Sequence, residues 1–111
     1  MGHATDRGAV KDILQRELPY LRAKYGVTRL ALYGSVARGT DTAASDIDLL
    51  VELERPLGFD FVALVDYLEQ ALGRRVDLAT FASLERSMSS TRYRPIALRI
   101  QETLTDVAVA P

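Results

Sequence analysis

Apolar residues at Val10, Ile13, Leu14, Leu18, Leu21 and Tyr25 recur every three or four positions, the spacing of one helical face. Thr5 or Asp6 can cap that helix with a side-chain oxygen, and Gly26 suits its C-terminal end. Pro19 falls inside the pattern and predicts a kink, or two abutting helices, near Leu18. Val27 to Tyr33 is short, apolar and branched, a strand. Ser35 to Arg38 has room for one helical turn, and Thr40 to Ser45 is a small, polar loop. Ile47 to Leu53 reads as a strand buried on both faces, because Leu49, Leu50 and Val51 run without alternation. After a connection at Glu54 to Gly58, a second amphipathic helix follows through Phe61, Val62, Leu64, Val65, Leu68 and Leu72, closed by Gly73. Arg75 to Thr80 is a third strand, with Val76 and Leu78 on one face and Asp77 on the other. Phe81 to Tyr93 reads as a loose turn. Pro95 suits the start of a last helix carrying Ile96, Ile100 and Leu104, and the ends at 1–5 and 107–111 are expected to be flexible.

The predicted order is helix, strand, strand, helix, strand, helix, an α/β (α+β) arrangement with a small mixed sheet of three or more strands flanked by helices. If the first two strands pair antiparallel, the end of the first lies beside the start of the second. The following helix has the length of a crossover between parallel strands, so the third strand starts at the same edge. Gly34-Ser35, Asp46, Asp48 and Asp77 then converge there. Residues two apart on a strand share a face, so Asp46 and Asp48 project together, with Ile47 and Leu49 opposite.

Composition narrows the class. With 111 residues a single domain over 1–111 suffices, and 48% hydrophobic content is ordinary for a globular chain. No apolar run has the length of a membrane span and no signal peptide is recognisable, so a soluble cytoplasmic protein is expected. The absence of cysteine excludes disulfides and thiolate metal sites. The formal net charge of −1, with Lys11 and Lys24 the only lysines, argues against direct nucleic-acid binding. Arginines gather late, at Arg86, Arg92, Arg94 and Arg99.

The converging residues carry a chemistry. Two close carboxylates repel unless a cation lies between them, and hard oxygen donors favour Mg²⁺ or Mn²⁺. Two such ions could neutralise a nucleotide's phosphates, while Asp77 could complete a metal site or take a hydroxyl proton. Gly34 permits close backbone approach to phosphate, Ser35 adds a hydroxyl, and Arg38 a positive fork. The competing pairings are Arg38 with Asp41, and Asp77 with Arg74 or Arg75.

The stretches Leu32-Tyr33-Gly34-Ser35-Val36-Ala37-Arg38-Gly39, Ser45-Asp46-Ile47-Asp48-Leu49-Leu50-Val51 and Gly73-Arg74-Arg75-Val76-Asp77-Leu78 resemble the nucleotidyltransferase superfamily typified by DNA polymerase β. They resemble most the minimal nucleotidyltransferases, the MNT antitoxins paired with HEPN-type toxins; Tyr33 departs from the Phe common before Gly-Ser. The resemblance implies that Asp46, Asp48 and Asp77 hold Mg²⁺ and that Gly34-Ser35 holds the triphosphate of ATP. It also implies transfer of AMP to a tyrosine of a partner HEPN-type RNase toxin. The alternatives are an antitoxin that neutralises by binding alone and an aminoglycoside-type nucleotidyltransferase.

Overall fold

Asp6 opens the first helix by accepting a hydrogen bond from the Ala9 amide at 2.8 Å. The computed structural model describes residues 6–42 and 44–109. Helix α1 (Arg7–Tyr25) ends at Gly26, whose φ of 74° lets its amide fold back onto the Arg22 carbonyl. Pro19 does not divide α1, which is one continuous helix rather than the two abutting helices that were one expectation. Pro19 is exposed, and the burial of Leu14, Leu18 and Leu21 around it outweighs the single backbone hydrogen bond that its ring removes.

Strands β1 (Val27–Tyr33) and β2 (Ile47–Leu53) flank the five-residue helix α2 (Gly34–Arg38). Helix α3 (Asp60–Leu72) then crosses to β3 (Val76–Thr80). The chain finishes with α4 (Phe81–Met88), α5 (Arg94–Thr103) and β4 (Thr105–Val109). The sheet order is β3-β2-β1-β4; β2 and β3 run parallel, while β1 is antiparallel to both of its neighbours. Helix α3 is thus the predicted crossover. Its Leu64, Leu68 and Leu72 are fully buried, each worth about 2 kcal/mol in apolar surface removed from water.

The two faces of the sheet are covered differently. Leu30, Leu32, Ile47, Leu49 and Val51 meet α1 and α3 in the larger core. On the other face Leu50, Leu84 and Ala97 form a smaller cluster, joined by Tyr33, Ala79, Phe81, Met88 and Ile100. The continuous apolar run in β2 is therefore explained by helices on both sides.

Two expectations are corrected on the smaller face and beside it. Residues 81–88 form a helix, not a loose turn; Thr80 caps it by accepting from the Ser83 amide at 3.0 Å. Residues 105–109 form an edge strand on β1, so the expected loose end is corrected for 107–109, while 1–5 and 110–111 lie outside the described residues. The last helix also turns a slightly different face inward: Ala97 is buried, and Ile96 is 58% exposed.

Candidate functional site

The register of the sheet places three of the predicted groups in a row. Tyr33 of β1 is the cross-strand partner of Asp48 in β2, and Asp48 is the cross-strand partner of Asp77 in β3. Directly opposed residues share a face, so the phenol and the two carboxylates rise together at one end of the sheet. That face is the one covered by α4 and α5, whereas Ile47 and Leu49 point into the larger core.

Gly34 lies against this row. Its φ is +73°, and a Cβ there would stand 2.3 Å from Asp48 Oδ2. Only glycine accommodates both the left-handed backbone and the carboxylate. The Gly34 amide donates to Thr103 Oγ1 at 2.9 Å, so the turn is tied to the end of α5. Ser35 follows, half-buried, at the start of α2. The short helix closes on Gly39, and Arg7 of α1 donates to the carbonyl of Ala37 at 2.7 Å.

The loop between α2 and β2 is held by an arginine that sequence reasoning had weighed only as a partner for Asp77. Arg74 pairs with Asp41 at 3.1 Å, both side chains more than nine-tenths buried. It also donates to the carbonyls of Thr42 and Ser45, at 3.1 and 2.7 Å. The competing Arg38–Asp41 pairing is thus not the one formed. Asp46, the residue after this loop, is exposed, and Arg75 lies 3.4 Å from its Oδ1.

Electrostatics mark the row as strained. Burial, then the Asp77 and Asp46 carboxylates, raise the pKa of Asp48 to about 6, against an opposing pull from Arg38. Burial, then Asp77 and Asp48, push the Tyr33 phenol up to about 12, so it stays a neutral hydroxyl.

The donor set fits a hard divalent cation, which would offset the burial of the Asp48 charge and its repulsion by the neighbouring carboxylates. Among the described residues no three acids already form a closed cage, and the Asp46 carboxylate faces Arg75. The edge thus brings Gly34, Ser35, Asp48 and Asp77 together, with Arg38 close enough to act on Asp48 and Asp46 at the rim. No helix among the described residues is long and apolar enough to cross a membrane.

Comparison with known proteins agrees with this geometry. The nucleotidyltransferase domain family matches residues 12–100. The protein adenylyltransferase MntA of Thermococcus cleftensis is 36% identical over 88 residues, covering 78% of this chain and 89% of that protein. A solved minimal nucleotidyltransferase superposes with a TM-score of 0.66 at 28% identity, over 97% of this chain and all of the other. A tri-AMPylated Shewanella oneidensis HEPN toxin in complex with its MNT antitoxin gives a TM-score of 0.53 at 17% identity, covering 94% of this chain and 70% of that one, a likeness of fold.

Proposed function

This chain belongs to the nucleotidyltransferase family, and from that premise we propose that it transfers AMP from ATP to a tyrosine hydroxyl of a HEPN-type toxin, acting as its antitoxin. The observation that carries the reading is the register of Asp48 against Asp77 beside Gly34-Ser35, in a chain more than a third identical to a protein adenylyltransferase. The Shewanella oneidensis complex, in which the toxin partner is AMPylated, supports the choice of acceptor class.

In this reading Asp46, Asp48 and Asp77 would hold Mg²⁺, which when bound supplies positive charge against the phosphates. The amides after Gly34, the Ser35 hydroxyl and the Arg38 guanidinium bind and orient the triphosphate. The acceptor oxygen attacks the α-phosphorus, the bond to pyrophosphate breaks, and the Asp77 carboxylate takes the acceptor's proton. Tyr33, held protonated, stays a neutral neighbour of the carboxylates.

Incubation with α-labelled ATP, Mg²⁺ and a HEPN-type toxin encoded beside this chain should label the toxin. Asp46→Asn with Asp48→Asn should abolish that labelling. Labelling that survives in the double variant overturns the catalytic assignment. A double variant that still silences the toxin in cells would favour neutralisation by binding alone.

A further inference from the structure

The Gly34 amide, which opens the turn beside Asp48, is not available to a ligand: it donates to Thr103 Oγ1 at 2.9 Å across 69 residues of chain. Thr103 is the last residue of α5, and its own hydroxyl proton is directed at the Ile100 carbonyl, 3.2 Å away. A hydroxyl donates once and accepts through its lone pairs, so the bond to Ile100 leaves a lone pair for Gly34. The backbone at Thr103 is itself held. Its carbonyl accepts from Thr105 Oγ1 at 3.1 Å, and Thr105 is the cross-strand partner of Leu32 in β1. On another side of Gly34, Asp48 Oδ2 fills the space a Cβ would need, so the turn lies directly against that carboxylate.

We propose that Thr103 is a positioning residue that fixes the Tyr33–Gly34 peptide, and through it the Gly34-Ser35 turn that receives the triphosphate of ATP. The proposal rests on the reading of that turn as a triphosphate site. In this proposal Thr103 acts through the Gly34 amide and not on the phosphates. Its hydroxyl removes the freedom of the peptide to rotate, so the amides that follow Gly34 are presented in one orientation before nucleotide arrives. The turn stays beside the Asp48 carboxylate because the glycine between them is tied to Thr103 and leaves no room for a side chain.

The test uses Mg-ATP alone, titrated calorimetrically into the wild-type chain, Thr103→Val and Thr103→Ser. Valine keeps the branched shape and loses the hydroxyl; serine keeps the hydroxyl. Loss of one intramolecular hydrogen bond that orders the site should raise the Kd of Thr103→Val about tenfold. Thr103→Ser should bind within about twofold of wild type, because the acceptor oxygen is restored. Hydrogen exchange at the Gly34 amide should quicken in Thr103→Val and stay slow in Thr103→Ser. A role confined to stability would lower the melting temperature and leave the Kd of the folded protein unchanged. The proposal is overturned if Thr103→Val binds like wild type, or if Thr103→Ser is as weak as Thr103→Val. Should valine prevent folding, Thr103→Ala carries the same comparison. Failure of the wild-type chain to bind Mg-ATP would instead overturn the nucleotide reading itself.

Discussion

Replacing Asp48 by Asn should stabilise the protein while silencing it. Asp48 is half-buried, next to two other carboxylates, and its pKa rises from 3.8 to about 6 in the folded chain. A folded-state pKa above the unfolded one means that the folded protein binds the proton more tightly. Stability is then fully present below about pH 4, falls as pH rises toward 6, and stays at the lower level above it. A shift of roughly two units corresponds to about 3 kcal/mol. Solvent screening at a half-exposed carboxylate reduces this to about 1 kcal/mol. For a domain of this size that is a gain of about 4 °C in melting temperature. The assay is thermal denaturation of wild type and Asp48→Asn from pH 3.5 to 8 in chelator-treated buffer. The curves should coincide at the acid end and separate between pH 4 and 6, with the variant the more stable. Groups that do not face residue 48 affect both proteins alike, so the difference reports on residue 48 together with the carboxylates it repels. A variant equal to or below wild type at pH 7.5, or a gap that ignores pH, would refute the reasoning.

Three further outcomes follow from the same geometry. Gly34→Ala should lose about 2 kcal/mol in a urea titration, because its Cβ meets Asp48 Oδ2 at 2.3 Å in a left-handed backbone, and AMP transfer should vanish with it. Asp41→Ala leaves the buried Arg74 guanidinium without its carboxylate and should cost about 3 kcal/mol, measured the same way; Asp41→Asn, which keeps a hydrogen-bond acceptor for it, should cost less. Chelation of divalent ions should stop AMP transfer to the toxin, and adding back Mg²⁺ or Mn²⁺ should restore it, as read by label incorporation.

The parts of the fold that the sequence displays are those whose apolar spacing is long and local. Helices α1 and α3 and the branched runs of β1 and β2 are of this kind, and the placement of Asp77 beside Asp48 followed from one crossover helix of the right length. Helix α4 is weakly marked because only Leu84 of its residues is buried, although Thr80, whose hydroxyl accepts from the Ser83 backbone amide, is a usable cap signal. Strand β4 is held by pairing with β1, far earlier in the chain, which no local pattern announces. The same distance hid Thr103, whose partner is the Gly34 amide. The role of Arg74 was obscured for another reason: a charged residue beside Arg75 reads as surface, and only the folded loop shows it buried against Asp41. Pro19 misled in the opposite direction, since tertiary burial overrode a sound local rule.

The bond between Gly34 and Thr103 also divides the chain into an earlier part that gathers the acids and a later part that ties the turn. The pairing that sets Asp77 beside Asp48 uses only residues up to β3. A chain cut before Thr103 would retain every acid of the site and lose the acceptor that fixes the turn, so the far end of the sequence is needed for the order of the site rather than for its composition.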